Sequence, residues 1–110
     1  MSRVAMTDGS RSWFNPEGSV LFKENTRHDG SNSISVATGS QWEHENLYYT
    51  RSGKWVLNAS SQWQGTLPTY EQIQEQDAIM WLISNGHKDL DELPESVRML
   101  VEAGFEAAEI

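Results

Sequence analysis

The hydrophobic pattern of this 110-residue chain changes its period near residue 74, and that change constrains the fold more than any other feature. Before it, short runs rich in β-branched and aromatic residues alternate with turn-forming residues, which is typical of strands. After it, Ala78, Trp81 and Leu82 repeat with the spacing of one helix face. Strands first and helices last predict an α+β fold with an antiparallel sheet, because a parallel βαβ chain would alternate the two elements.

The small antiparallel sheet is expected to contain about four short strands. The candidates are Val20–Phe22, 33–37, Leu47–Thr50 and Trp55–Leu57, with one more short strand over Tyr70–Ile73. Residues 46–51 and 54–59 flank Ser52-Gly53, which predicts a hairpin with a two-residue turn, because glycine readily takes a positive φ. Trp55 lies within a strand, so we expect it in the core.

Two C-terminal helices are predicted to pack on the sheet. The first covers Gln74–Asn85, with Gly86 in the position of a C-terminal cap. The second begins at Pro94, a residue common in the first helical position, and ends near Gly104. The run Ala78–Ile83 makes the first helix apolar on more than one side. Either the sheet and the second helix cover both sides, or a partner or a second copy covers one.

The length allows one domain, since domains commonly have about 100–150 residues. Residues 1–18 contain turn formers such as Asp8-Gly9-Ser10 and no apolar period. We therefore expect a flexible N-terminal arm over residues 1–18. Residues 19–110 are expected to form a single α+β domain.

The charge and the residue types exclude several classes of function. The formal net charge is -8, which repels nucleic-acid phosphates and anionic membranes, so we expect neither as a direct partner. The chain has no cysteine, which excludes disulfides, thiolate metal sites and a thiol nucleophile. It also has no phosphate-binding glycine loop and no nucleophile elbow. We therefore expect a protein that is not an enzyme and uses no cofactor.

The three histidines do not predict a metal site. His28, His44 and His87 lack the spacing of zinc ligands. In the sequence Glu43-His44-Glu45, strand alternation would place both glutamates on one face and the histidine on the other. A structural or solvated role is the interpretation that we prefer for these histidines.

The sequence predicts a cytoplasmic protein. No segment approaches the roughly 20 apolar residues of a membrane-spanning helix. Met1–Val20 also lacks the apolar run of a signal peptide. The absence of cysteine suits a reducing compartment.

All of the net charge lies in the second half of the chain. Residues 1–55 contain six acids and six bases, whereas residues 56–110 contain ten acids against Lys88 and Arg98. One interpretation is local, because carboxylates near a helix start are stabilised by the helix dipole. The other is a negative surface that competes with nucleic acid for a basic groove on a protein. The candidate partner-binding acids are Glu71, Glu75, Asp77, Asp89, Asp91, Glu92 and Glu95.

Trp63 is a further candidate for partner binding. It stands among polar residues, so it either packs under a loop or anchors a partner. An anchoring role would make the chain a protein–protein interaction module with an aromatic and apolar surface. A self-associating regulatory protein is another alternative, although we favour a monomer.

The chain as a whole resembles the anti-CRISPR inhibitors of phages and other mobile elements, most nearly those that act on type I-C systems. The resemblance is carried by the small acidic chain, the arm over residues 1–18 and the acidic part Glu71–Ile110. The stretches 47–57, 61–65 and 78–82 also look like a module that recurs in small bacterial proteins.

The resemblance to anti-CRISPR inhibitors implies a partner and a mechanism. The partner would be the DNA-binding subunit of a type I CRISPR surveillance complex in a bacterial host cell. Stoichiometric binding to that subunit would prevent recognition of target DNA. An acidic surface suits this role, since such complexes hold DNA in positively charged channels.

Overall fold

The computed structural model describes residues 2–110, in which strands precede helices. The strands are β1 Val4–Ala5, β2 Trp13–Phe14, β3 Val20–Lys23, β4 Thr26–Asp29, β5 Asn32–Ser35, β6 Glu43–Tyr49, β7 Trp55–Ser61 and β8 Thr69–Ile73. A short 3-10 helix spans Pro16–Gly18, and the two α-helices are α1 Glu75–Ser84 and α2 Glu95–Ala107. The predicted α+β class is confirmed.

The central sheet is antiparallel and has four strands in the order β3-β6-β7-β8. Strands β3 and β7 cover the predicted segments 20–22 and 55–57, β6 covers the segment predicted over 47–50 except Thr50, and β8 confirms the short strand predicted over Tyr70–Ile73. The segment predicted at 33–37 does not join this sheet. Its residues 33–35 belong to β5, which pairs with β4 in a separate two-stranded sheet, and residues 36–37 lie in the turn that follows.

The β6–β7 hairpin is confirmed, but its turn is longer than predicted. The last strand pair is Tyr49 with Trp55. The Gly53 amide donates to the Thr50 carbonyl at 3.0 Å, and Gly53 has φ of 84°. The Lys54 amide donates to the Thr50 hydroxyl at 3.0 Å. Glycine therefore occupies the left-handed position that follows a β-turn, rather than the second position of a two-residue turn.

The N-terminal segment is folded against the sheet, contrary to the flexible arm predicted for residues 1–18. Phe14 is only 5% exposed, and its ring centroid lies 5.1 Å from that of Tyr48 and 5.8 Å from that of Tyr70. A single buried aromatic ring thus anchors the β1–β2 hairpin, although no apolar period marks it. Met1 lies outside the described residues.

Residues Thr7 and Asp8 also occupy the outer edge of β8. The Tyr70 amide donates to the Thr7 hydroxyl at 2.8 Å, and the Thr7 amide donates to the Tyr70 carbonyl at 2.8 Å. The Gln72 amide donates to Asp8 Oδ2 at 3.0 Å. These bonds use edge groups that would otherwise face solvent, and they protect the strand from pairing with another chain.

The hydrophobic core lies between the sheet and the two helices. Its buried members are Phe22, Leu47, Trp55, Ala78, Leu82, Leu90, Leu93 and Val101. Phe22 and Leu47 are cross-strand neighbours, so they point to the same face of the sheet. Burial of Trp55 confirms its predicted place in the core.

Both helices lie close to their predicted ranges. Helix α1 begins after Gln74 and ends before Asn85, and Gly86 follows with φ of 71°. Helix α2 continues three residues beyond Gly104, where the sequence predicts its end. Gly104 instead allows close packing, because a Cβ atom there would lie 2.5 Å from Ile79 Cδ1.

The sheet and α2 cover only part of the apolar surface of α1. Ala78 and Leu82 are buried and Ile79 packs against the core, but Met80 and Ile83 are exposed. Within residues 2–110, neither helix is long and apolar enough to cross a membrane.

Candidate functional site

Three of the predicted acids stand in the first turns of the two helices. Glu75 and Asp77 belong to the first turn of α1, and Glu95 belongs to that of α2. Neither residue that precedes a helix, Gln74 or Pro94, caps the helix with its side chain. The exposed carboxylates therefore face free amide groups and the positive end of the dipole, which is a local reason for their positions.

The two helix starts lie at the same end of the sheet. Glu75 of α1 and Val97 of α2 line one open groove of about 430 Å³, together with Gly53 and Lys54 of the β6–β7 hairpin. The first turn of each helix therefore borders a common surface. The acids of the two helices are thus not capping groups at opposite ends of the domain.

Three more predicted acids lie in the loop between the helices. Leu90 and Leu93 of this loop are buried in the core, while Asp89, Asp91 and Glu92 are exposed. The Asp91 amide donates to Asp89 Oδ1 at 3.0 Å, which shapes the turn. The alternation of buried leucine and exposed acid holds the carboxylates in solvent beside the start of α2.

These six acids have few cationic neighbours. Arg98 Nη1 lies 3.8 Å from Asp91 Oδ1, and this is the one ion pair of a lysine or arginine within residues 2–110. At that distance, and with Asp91 almost fully exposed, the pair contributes little. We call this surface the acidic end, formed by Glu75, Asp77, Asp89, Asp91, Glu92 and Glu95.

Glu71 is separate from the acidic end and belongs to a second group of carboxylates. It pairs with Leu57 in the sheet and lies on the helix-covered face of the edge strand β8, where its side chain is exposed. Burial raises the pKa of Glu45, and the negative charges of Glu24 and Glu71 raise it further. The Trp81 indole N–H donates to Glu45 Oε1 at 3.1 Å, and this hydrogen bond lowers the pKa of Glu45 in part.

Trp63 is exposed on the β7–β8 loop and is paired with a second tryptophan. The ring centroids of Trp63 and Trp42 lie 5.5 Å apart, with an interplanar angle of 44°. Sequence reasoning did not find Trp42. The hairpin register could have indicated it. Trp42 directly precedes Glu43, and Glu43 pairs with Ser61, which lies two residues before Trp63.

Sequence reasoning also missed a polar cluster around Glu24. Glu24 Oε2 lies 2.6 Å from His44 Nδ1, and Glu24 Oε1 accepts from the Ser35 hydroxyl and the Glu45 amide, both at 2.7 Å. Glu43 and Glu45 share one face and His44 the other, as strand alternation predicts.

The cluster around Glu24 does not have the geometry of an activated nucleophile. Ser35 is fully buried, and its hydroxyl donates to the carboxylate rather than to the imidazole. The cluster connects the β4–β5 hairpin to β6. Among residues 2–110, no group of three His, Asp or Glu side chains could hold a metal ion.

The geometry thus offers two surfaces for a partner, the acidic end and the Trp42–Trp63 pair. Both are exposed, and both are held by buried neighbours or by loop hydrogen bonds. Comparison with protein-family models, with curated proteins and with solved structures gave no match to this chain.

Proposed function

We propose that this protein is a stoichiometric, non-enzymatic inhibitor of a type I CRISPR surveillance complex, which it binds through the acidic end. The observation that supports this proposal is that the starts of the two helices border one groove, and that the six exposed carboxylates on these first turns and on the loop between the helices form one weak ion pair. The resemblance of the sequence to anti-CRISPR inhibitors supplies the class of partner.

The acidic end would act as a competitor of DNA. A cluster of negative charge steers the protein towards a positively charged surface and raises the rate of encounter. A surveillance complex holds nucleic acid in a basic channel, so an acidic protein at the same place would exclude the DNA backbone. The acids stand on helix turns and on a loop anchored by Leu90 and Leu93, so little ordering is needed on binding.

The proposal is tested by a gel-shift titration of a purified type I-C surveillance complex with labelled target DNA. DNA binding should disappear near an equimolar amount of the protein. Higher salt should restore it, because screening weakens contacts between exposed charges. If the complex still binds DNA in a molar excess of the protein, competition at the DNA site is wrong.

A charge-reversed variant tests which surface makes the contact. The triple substitution Glu75→Lys, Asp77→Lys and Asp91→Lys should weaken inhibition by about tenfold or more, as expected for lost charge complementarity. A matched control reverses Glu102, Glu106 and Glu109, which are exposed towards the other end of α2. Equal loss of inhibition in both variants would implicate net charge rather than the acidic end, and circular dichroism would establish that both variants fold.

A further inference from the structure

The Trp42–Trp63 pair forms an exposed aromatic surface at the end of the sheet remote from the β6–β7 turn. Trp63 is 60% exposed, Trp42 is 44% exposed, and Leu67 of the same loop is 84% exposed. Clustered large apolar side chains on a surface are characteristic of binding sites. Aromatic residues in particular dominate the binding energy of protein interfaces.

Hydrogen bonds hold this aromatic surface in place. The Thr66 hydroxyl donates to the Trp63 carbonyl at 2.7 Å, and the Gln62 amide donates to the Trp42 carbonyl at 2.8 Å. The Trp63 amide donates to the Ser61 hydroxyl at 3.2 Å. A loop ordered in this way loses little conformational entropy when a partner binds.

An open groove of about 310 Å³ lies at the same end of the sheet, where Glu43, which follows Trp42, and Leu67 of the Trp63 loop both line it. Leu67 forms part of its wall, and its lining includes Glu43, Glu45 and Ala59. Glu45 pairs with Ala59 across the sheet, so both belong to the face that α1 covers farther along. Over the described residues, no residue of either helix lines the groove, which also includes His44 and Ser60, so it extends over the end of this face that the helices leave open.

The charges around the groove are of one sign. Glu43 and Glu45 line it, and the charges of Glu24 and Glu71 are close enough to raise the pKa of Glu45. Within the described chain, its lining contains no lysine or arginine, and His44 already contacts Glu24. A cation placed here would relieve the repulsion between carboxylates.

We propose that this groove, together with the adjoining Trp42–Trp63 pair, binds an extended, arginine-containing segment of a partner protein. The guanidinium group contacts Glu43 and Glu45, and the apolar stem of the arginine lies along Leu67. Arginine suits the site better than lysine, because its planar group also stacks on tryptophan. The inference does not depend on the proposed inhibition of a surveillance complex, since the acidic end lies at other residues.

The test uses the full chain labelled with ¹⁵N and a short glycine–serine peptide that carries two arginines. A peptide with citrulline in place of each arginine keeps the shape and removes the charge. The indole N–H signals of Trp81 and Trp63 are followed, because Trp81 donates to Glu45 inside the site. The arginine peptide should shift both signals saturably, and the citrulline peptide should leave them unchanged.

Matched variants make the assignment specific. The double substitution Glu43→Gln and Glu45→Gln should weaken peptide binding by about tenfold, as for the loss of one good ionic contact. The control pair Glu106→Gln and Glu109→Gln removes the same charge from α2 and should change the affinity less than about twofold. Equal losses of peptide affinity in the two double variants would overturn the proposal, because they would indicate nonspecific attraction of the peptide to an acidic protein.

A second pair of variants tests the Trp42–Trp63 pair and leaves every carboxylate unchanged. Trp63→Ala should weaken binding of the arginine peptide, whereas Trp13→Ala should not, because Trp13 is exposed at the N-terminal hairpin. Both positions lie on the surface, so both variants are expected to fold. Unchanged affinity in Trp63→Ala, or equal binding of the citrulline peptide, would overturn the proposal while leaving the proposed inhibition untouched.

Discussion

The side chain of Glu24 lies against His44, with Oε2 2.6 Å from Nδ1, and it joins two parts of the chain that are twenty residues apart. Its other oxygen accepts from the Ser35 hydroxyl and from the Glu45 amide. One nearly buried carboxylate therefore attaches the β4–β5 hairpin to the central sheet.

Glu24→Ala should lower the free energy of unfolding by about 2–6 kcal/mol, because the Ser35 hydroxyl and the Glu45 amide lose their acceptor and each such loss costs roughly 1–3 kcal/mol. Urea denaturation followed by tryptophan fluorescence measures the change. Glu43→Ala is the matched control, since Glu43 is exposed on the neighbouring strand, and its effect should stay within about 0.5 kcal/mol. Similar losses in the two variants would contradict the role assigned to Glu24.

Glu45 should make the protein less stable as the pH rises. Its pKa is raised above the ordinary value of 4.5 by burial first and by neighbouring carboxylates second. A raised carboxyl pKa favours the protonated form in the folded state, so this stabilisation is present below the ordinary value and is lost as the pH rises through the folded value.

The substitution Glu45→Gln tests that pH dependence. Glutamine remains neutral and still offers an oxygen to the Trp81 indole, so the variant should be more stable than the parent at about pH 7. The difference should shrink towards about pH 4, where the parent is protonated. Urea unfolding at both pH values measures it, and a difference that is the same at both would contradict the prediction.

The sequence predicted the elements that short-range patterns determine. The hairpin around Gly53, helix α1 and the burial of Trp55 follow from turn residues, from helical spacing and from strand composition. The extension of α2 beyond Gly104 was missed, since glycine after an apolar stripe also marks a helix end. Whether such a glycine ends a helix or lies inside one depends on its contacts, here with Ile79, and no local sequence pattern contains that contact.

The candidate surfaces depend on contacts between distant segments, and these were predicted less completely. The acids of the acidic end were found because charge is visible in composition. The common groove at the two helix starts was not predicted, since it requires the packing of α1 beside α2. Trp42 was missed for a similar reason, because its pairing with Trp63 arises only when the β6–β7 hairpin closes.

Phe14 should control the order of the N-terminal hairpin. Phe14→Ala removes the ring that packs on Tyr48 and Tyr70, and truncation of a buried phenylalanine typically costs about 3–5 kcal/mol. Since this ring is the buried anchor of the hairpin whereas the core on the other face of the sheet does not include it, we expect residues 2–18 to detach before the sheet unfolds.

Hydrogen exchange measures that detachment. The Tyr70 and Gln72 amides should exchange faster in Phe14→Ala, because Thr7 and Asp8 would no longer accept from them. Trp13→Ala serves as the control, since the neighbouring Trp13 ring is exposed and should leave both amides protected. Unchanged protection in Phe14→Ala would mean that the edge contacts hold the hairpin without the ring.

Gly104 should be required for the close approach of α2 to α1. A methyl group at residue 104 would lie 2.5 Å from Ile79 Cδ1, so Gly104→Ala should destabilise the protein by about 1 kcal/mol. That figure is a net value, because alanine also stabilises a helix by roughly 0.5–1 kcal/mol relative to glycine. In a background with Ile79→Val, which lacks Cδ1, the same substitution should become stabilising by about 0.5 kcal/mol. Thermal or urea unfolding of the four proteins gives the interaction energy, and equal effects of Gly104→Ala in both backgrounds would refute this packing.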